Sequence, residues 1–139
     1  MLQTPYWRVV LDASDQCYLG RMYITARRHV EHEEELSFEE WLDLRHVKRR
    51  IAKMAKKGLK ATHITSALLM NNAYRAQDPR PHVHYHVRPR YSKPQTVGGE
   101  VFVDLDFGEH HRRDTPREVS PETLQEIKRL LLAVENREG

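Results

Sequence analysis

Three histidines alternate with apolar residues in the segment 82–87, which reads His-Val-His-Tyr-His-Val. Side chains on a β-strand alternate between two faces, so His82, His84 and His86 are predicted to share one face, about 7 Å apart at successive positions. A neutral imidazole nitrogen can attack phosphorus and form a covalent intermediate that water then hydrolyses. Neighbouring imidazoles can donate hydrogen bonds to the phosphate oxygens and the leaving group. The spacing therefore favours phosphoryl chemistry, with one nucleophile and two flanking donors.

Two other interpretations of these histidines are open. They could form a solvated strand face with no chemical role. They could also bind a metal ion, because a His-x-His pair can chelate zinc. The outer two histidines start about 14 Å apart along the strand, so they cannot easily reach one ion together. A further ligand would then have to come from elsewhere, for example from His29, His32 or His63.

Short β-branched and alternating segments predict a sheet around the histidine strand. Strands are expected at residues 7–11, 19–27, 63–70, 81–88 and 101–107. In the last of these, the apolar residues are expected to face the core, namely Val101, Val103, Leu105 and Phe107. Phe102, Asp104 and Asp106 would then share the opposite face.

Capping signals predict two helices. Ser37 precedes Glu40 by the spacing of a capping box, and an apolar stripe of helical period follows. Gly58 is expected just beyond the end of this helix, at the C′ position. Ser120 is expected to cap the C-terminal helix, 120–136, with Pro121 at its first helical position.

Composition narrows the class of protein. The chain has 139 residues, of which 39% are hydrophobic and 31% charged, which suits a single folded domain over residues 1–139 and excludes wholesale disorder. The single cysteine, Cys17, excludes a disulfide framework and a cysteine-based zinc site. No segment has the length of a membrane span and the N-terminus lacks a signal peptide, so a cytoplasmic location without membrane contact is expected. The net charge of +3 is too small to indicate a nucleic-acid partner.

The histidine string resembles the signature of the histidine triad (HIT) family, His-x-His-x-His followed by apolar residues. The likeness extends to the segment 19–30 (LGRMYITARRHV), the amphipathic helix after it, the pair Asn71-Asn72, and Pro89-Arg90-Tyr91 after the triad. It covers roughly residues 7–110. The resemblance implies an α+β, HIT-like fold, with a mainly antiparallel sheet of about five strands, one long helix and a C-terminal helix. It also implies a homodimer that extends the sheet across two subunits.

The resemblance further implies a purine nucleotide hydrolase, most similar to the diadenosine polyphosphate hydrolase branch. Such an enzyme cleaves a phosphoanhydride or phosphoramidate bond at the α-phosphate. His84 would be the nucleophile that becomes nucleotidylated, and His82 and His86 would orient it and bind phosphate oxygens. The uridylyltransferase branch carries glutamine at the third position, so His86 favours hydrolysis. The protein would need no metal of its own, since Mg²⁺ would arrive with a polyphosphate substrate.

Five further residues are carried over as substrate-binding candidates. Asn71, or the neighbouring Asn72, matches an amide residue near the scissile phosphate. Asp12 matches a residue that holds the ribose hydroxyls, although an ordinary turn-forming role is equally open. Arg21 stands where many members have a fourth histidine, and Arg88 stands where the motif usually continues with an apolar residue. Both arginines are expected to lie on the histidine face, with Arg21 binding phosphate oxygens beyond the scissile bond.

Two alternatives from other functional classes stay open. The protein could be a nucleotide-binding protein in which Arg21 has weakened catalysis. It could also be a metal-dependent hydrolase that uses His82 and His84. A basic loop follows the last predicted strand; it contains His110, His111, Arg112 and Arg113. It could reach the phosphates of a substrate, but a solvated surface is the favoured interpretation.

Overall fold

A computed structural model describes residues 1–110 and 115–137. Its main sheet is antiparallel and has five strands in the order β1-β2-β3-β5-β4. These strands are β1 (Leu2–Gln3), β2 (Trp7–Leu11), β3 (Met22–Ala26), β4 (His63–Ala67) and β5 (His84–Arg90). A separate hairpin follows, formed by β6 (Gln95–Val97) and β7 (Glu100–Phe102). The helices are α1 (Phe38–Gly58) and α2 (Pro121–Asn136), with short 3-10 turns at Glu33–Glu35 and Asn71–Arg75.

The two faces of the main sheet differ in character. One face is apolar and fully buried, with Trp7, Val9, Met22, Ile24, Val83 and Val87 at no more than 1% exposure. The indole nitrogen of Trp7 donates to the backbone oxygen of Glu40 at 2.9 Å, which anchors α1 against this face. The opposite face carries polar residues, and the strand register places Tyr23 opposite His86 and Thr25 opposite His84. The expected α+β architecture with two helices is confirmed.

Helix α1 begins as predicted but ends differently. Ser37 and Glu40 form both hydrogen bonds of the capping box. Gly58, expected beyond the helix, is instead its last residue, and Lys60 adopts the left-handed conformation with φ of 66°. A Cβ at Gly58 would lie 2.5 Å from the backbone oxygen of Leu130 on α2. The absence of a side chain at Gly58 therefore allows α1 and α2 to approach each other closely.

The prediction for residues 101–107 is wrong in both length and facing. The strand ends at Phe102, which is 4% exposed, whereas Leu105 is 79% exposed. Val101, Val103 and Phe107 are also exposed. The chain turns inward at Asp104 because its carboxylate binds the buried guanidinium of Arg90 in a bidentate pair, with distances of 2.7 and 3.0 Å. The buried ion pair, rather than the alternation of apolar residues, thus determines which side chains of this segment face the interior.

Helix α2 begins as predicted, since the side chain of Ser120 accepts a hydrogen bond from the backbone of Thr123 and Pro121 opens the helix. Ile127, Leu131 and Val134 are its buried apolar residues. In the described part of the chain, no helix combines the length and the apolar character that crossing a membrane would require.

The strand bounds also shift. The second strand begins at Met22 rather than Leu19, because Arg21 donates its N–H back to Tyr18 in a turn. The histidine strand begins at His84 and continues through Pro89 to Arg90. His82 therefore lies just ahead of the strand rather than within it.

Candidate active site

Strand β5 presents two of the three histidines together on the polar face of the sheet. The ring centres of His84 and His86 are 5.1 Å apart. Tyr23, from the adjacent strand β3, lies edge-on to His86 with ring centres 5.0 Å apart, and 6.3 Å from the ring of His84. Sequence alternation within residues 19–27 places Tyr23 on one face, but only the strand register shows that this face is the one with the histidines.

The local backbone fixes the protonation of His84. Its Nδ1 lies 2.9 Å from the carbonyl oxygen of His82. A carbonyl oxygen can only accept a hydrogen bond, so we assign the proton of the neutral ring to Nδ1. Nε2 then carries the lone pair and is the nitrogen available for nucleophilic attack.

His86 lies in an electropositive and partly desolvated position. Burial, the largest cause, and the charges of Arg88, His84 and Arg21 together lower its pKa to about 4. A backbone hydrogen bond with Leu69 opposes this shift without reversing it. His86 is therefore neutral near pH 7. Its Nδ1 is shielded and has no hydrogen-bond partner among the described residues.

His82 is oriented differently from the other two histidines. Its Nε2 lies 2.6 Å from the carbonyl oxygen of Ala26, and its Nδ1 lies 3.2 Å from Nδ1 of His29. Both ring nitrogens are thus engaged at this end of the sheet. Binding of phosphate oxygens by His82 stays a prediction, and it would require the ring to leave Ala26 or His29.

A pocket of about 620 Å³ opens beside the two paired histidines. The 3-10 turn at Asn71–Arg75 forms its other wall. The pocket is lined by Leu69, Met70, Asn71, Asn72, Ala73, Arg75, His84 and His86. Asn71 and Asn72 therefore both reach the predicted site. Arg75 was missed by the sequence analysis, because nothing in its spacing from the histidines indicated that the turn would fold back over them.

Asp12 is 7% exposed and holds a local turn. Its Oδ1 accepts hydrogen bonds from the N–H and hydroxyl of Ser14 and from the N–H of Asp15, at 2.9–3.1 Å. Its Oδ2 accepts the hydroxyl of Tyr23 at 2.9 Å. The turn-forming role is thus present. A ribose hydroxyl at Oδ2 would have to replace or share the hydrogen bond of Tyr23, so ribose binding stays a prediction.

Arg21 and Arg88 lie side by side on the polar face. The register pairs Met22 with Val87, which places Arg21 next to Arg88 on the adjoining strand. Arg21 forms an ion pair with Asp15, lies 3.6 Å from Asp12, and donates to the Tyr23 hydroxyl at 3.2 Å. Arg88 is 6% exposed, and burial together with the charge of Arg21 lowers its pKa. Both arginines thus lie on the histidine face near His86, and their binding of phosphate stays a prediction.

The other histidines lie away from the pocket. His63 begins β4, and its ring lies tilted against that of Phe107 with ring centres 5.8 Å apart. His32 precedes the first 3-10 turn. Within residues 1–110 and 115–137, no group of three or more His, Cys, Asp or Glu side chains is arranged to hold a metal ion. Of the basic loop, His110 borders a small pocket with His63, whereas His111, Arg112 and Arg113 lie outside the described residues.

No protein-family model and no curated protein matches the sequence. Solved structures do match. A histidine triad protein from Marinobacter aquaeolei is 17% identical with a TM-score of 0.66, over 99% of this chain and 88% of that one. The diadenosine triphosphate hydrolase of Plasmodium falciparum, solved in complex with cyclomarin A, is 14% identical with a TM-score of 0.62, over 99% and 77%.

A zinc-bound histidine triad family protein from Mycobacterium smegmatis is 23% identical with a TM-score of 0.60, over 98% of this chain and 85% of that one. At these identities the likeness shows the fold. The chain has the fold of histidine triad proteins, and the resemblance of its sequence to that family is confirmed at this level.

Proposed function

We propose that the protein is a histidine triad hydrolase that cleaves a phosphoanhydride or phosphoramidate bond at the α-phosphate of a purine nucleotide. The observation that carries this proposal is the hydrogen bond between Nδ1 of His84 and the carbonyl oxygen of His82. The carbonyl oxygen of His82 holds the proton of the ring on Nδ1, so the lone pair of Nε2 is available beside the pocket. In this tautomer the nucleophilic nitrogen carries no proton, so the attack needs no separate base to remove one.

The reaction has two displacements at phosphorus. Nε2 of His84 bonds to the α-phosphorus while the bond to the leaving group breaks, and the leaving group departs with the electron pair and takes up a proton. Water then breaks the nitrogen–phosphorus bond, which releases the nucleotide and restores the imidazole. His86 is neutral near pH 7 and has a single ring proton, which would have to leave the backbone oxygen of Leu69 to donate a hydrogen bond to a phosphate oxygen.

The charges around the site support a phosphate substrate. Arg88 and Arg21 both lower the pKa of His86, so both project positive potential onto the histidine face. Arg75 lines the pocket from the opposite wall. Positive potential in a cleft concentrates anionic substrates and stabilises charge that develops on phosphate oxygens. Similarity of fold to a diadenosine triphosphate hydrolase supports the same substrate class. Any Mg²⁺ would enter with a polyphosphate substrate rather than be held by the protein.

A homodimer is part of this proposal. Strand β4 is the last strand of the sheet, so pairing with β4 of a second copy would continue the sheet across two subunits. Helix α1 also exposes apolar residues, with Phe38 at 74%, Trp41 at 41% and Leu42 at 46%. A shallow groove of about 430 Å³ lies along the same helix between Trp41 and Ala52. Sedimentation equilibrium should give twice the chain mass, and a monomer at micromolar concentration would contradict this.

The activity is tested with two adenine nucleotides that differ in the leaving group, diadenosine triphosphate and adenosine 5′-phosphoramidate. Release of AMP is measured with and without EDTA. Hydrolysis of the phosphoramidate should survive EDTA, because that substrate needs no Mg²⁺ to neutralise a polyphosphate. Binding of AMP without turnover of either substrate would support the nucleotide-binding alternative. Loss of activity together with stoichiometric zinc would support the metal-dependent alternative.

A further inference from the structure

Arg88 is a buried cation whose guanidinium has no partner among the residues that the structure describes. It is 6% exposed, and its Nε is completely shielded without a hydrogen bond. Apart from the backbone pairing of β5, no hydrogen bond or ion pair joins its side chain to any residue within 1–110 or 115–137. Arg90, two residues further along the same strand and also buried, is by contrast held in a bidentate pair by Asp104. A buried charge is costly unless it is paired, so the lone guanidinium needs an explanation.

The acidic side chains near Arg88 are paired with another cation rather than with Arg88. Arg21 lies next to it on β3, and the Nε of Arg21 is also shielded without a hydrogen bond. Asp15, the acidic group that acts on Arg88 from this side, is already engaged by Arg21 and by the backbone N–H of Cys17 and Arg117. The carboxylate of Asp15 is thus already paired with groups other than Arg88.

We propose that Arg88, with Arg21 beside it, forms an anion site that binds a phosphate group of the leaving group. This inference rests on the proposed function, in which His84 attacks the α-phosphorus. Alternation on β5 places Arg88 on the same face as His84 and His86, about 7 Å beyond His86 along the strand. Only the Nε of its guanidinium is completely shielded, which leaves the two terminal nitrogens accessible to a ligand.

The site would distinguish substrates by the charge of the leaving group. A guanidinium can bind two phosphate oxygens at once, and such charge-assisted pairs are among the strongest hydrogen-bonded contacts. A nucleoside di- or triphosphate leaving group carries phosphates that can extend past His86 to Arg88. An amine leaving group carries none. The structure therefore assigns the protein to substrates with a polyphosphate leaving group, ahead of phosphoramidates.

The test uses Arg88→Leu, which removes the charge and keeps an apolar side chain on the strand. We expect kcat/KM for diadenosine triphosphate to fall about tenfold to a hundredfold. For adenosine 5′-phosphoramidate, which loses only the general positive potential of Arg88, the fall should be at least about fivefold smaller. Because the substitution removes an unpaired buried charge, the variant should unfold at a midpoint no lower than that of the wild type. Arg129→Leu, at an exposed position on α2, is the matched control and should change neither substrate.

A binding measurement separates the anion site from catalysis. Inorganic pyrophosphate should raise the unfolding midpoint of the wild type by several degrees and leave that of Arg88→Leu unchanged. Equal loss of kcat/KM on both substrates, or equal stabilisation of both proteins by pyrophosphate, would overturn the anion site. If the wild type hydrolyses neither substrate, the proposed function fails, and the pyrophosphate measurement still decides whether the anion site exists.

Discussion

Replacing Asp104 by alanine should destabilise the fold strongly, because the change leaves a buried guanidinium without its counter-charge. Arg90 and Asp104 are 4% and 3% exposed and are joined by two hydrogen bonds of 2.7 and 3.0 Å. Asp104 also accepts the backbone N–H of Tyr91 at 3.1 Å. Breaking such a buried pair from one side costs about 3–5 kcal/mol. For a chain of this size that corresponds to a fall of about 10–15 °C in the unfolding midpoint.

The free energy of unfolding is measured by urea titration with tryptophan fluorescence, since Trp7 is fully buried in the core. Asp104→Asn keeps one oxygen acceptor, so its loss of stability should lie between those of the wild type and Asp104→Ala. Glu126→Ala is the matched control, because it breaks an exposed ion pair with Arg129 on the surface of α2 and should leave the free energy of unfolding nearly unchanged. An Asp104→Ala protein within about 1 kcal/mol of the wild type would refute the role assigned to this pair.

Two further predictions concern the helix contact and the histidine strand. Gly58→Ala should destabilise by about 1–3 kcal/mol although alanine favours helices, because the new Cβ would lie 2.5 Å from the Leu130 oxygen; a more stable variant in the same urea titration would contradict this. His86 has a folded pKa of about 4, below the ordinary value of 6.5, so its contribution to stability is present above pH 6.5 and is lost as the pH falls towards 4. After allowance for partial exposure, the loss of stability is about 1–2 kcal/mol. The free energy of unfolding of His86→Gln should therefore vary less with pH than that of the wild type, by that amount. Parallel pH profiles of the two proteins would count against the low pKa of His86.

The helix starts could be predicted because their signals are local. Ser37 and Glu40 satisfy backbone groups within one turn of themselves, and Ser120 accepts the backbone N–H of Thr123. Pro121 has no N–H that would need a partner in the first turn. The facing of residues 101–107 could not be predicted in the same way. Alternation shows only that the two faces of a segment differ in polarity. Which face lies inward depends here on Arg90, which lies on β5, fourteen positions before Asp104.

The part of the site that lies on a single strand could be predicted from the sequence. Alternation in 82–87 correctly placed His84 and His86 on one face. It could not show that His82 turns to Ala26 and His29, because those partners come from the end of β3 and the segment after it. Arg88 and Arg90 look alike in the sequence. Only the fold shows that one has a carboxylate partner and the other has none among the described residues.

The central claim is that His84 becomes covalently nucleotidylated during turnover. The most direct test is intact-protein mass spectrometry after rapid acid-free quenching of a reaction with diadenosine triphosphate, followed by peptide mapping. The wild type and His46→Ala, a control at an exposed position on α1, should both show a nucleotidyl adduct that maps to His84. His84→Ala should show no adduct and should lose several powers of ten in rate. An adduct on another residue, or more than about a tenth of wild-type activity in His84→Ala, would contradict the covalent mechanism.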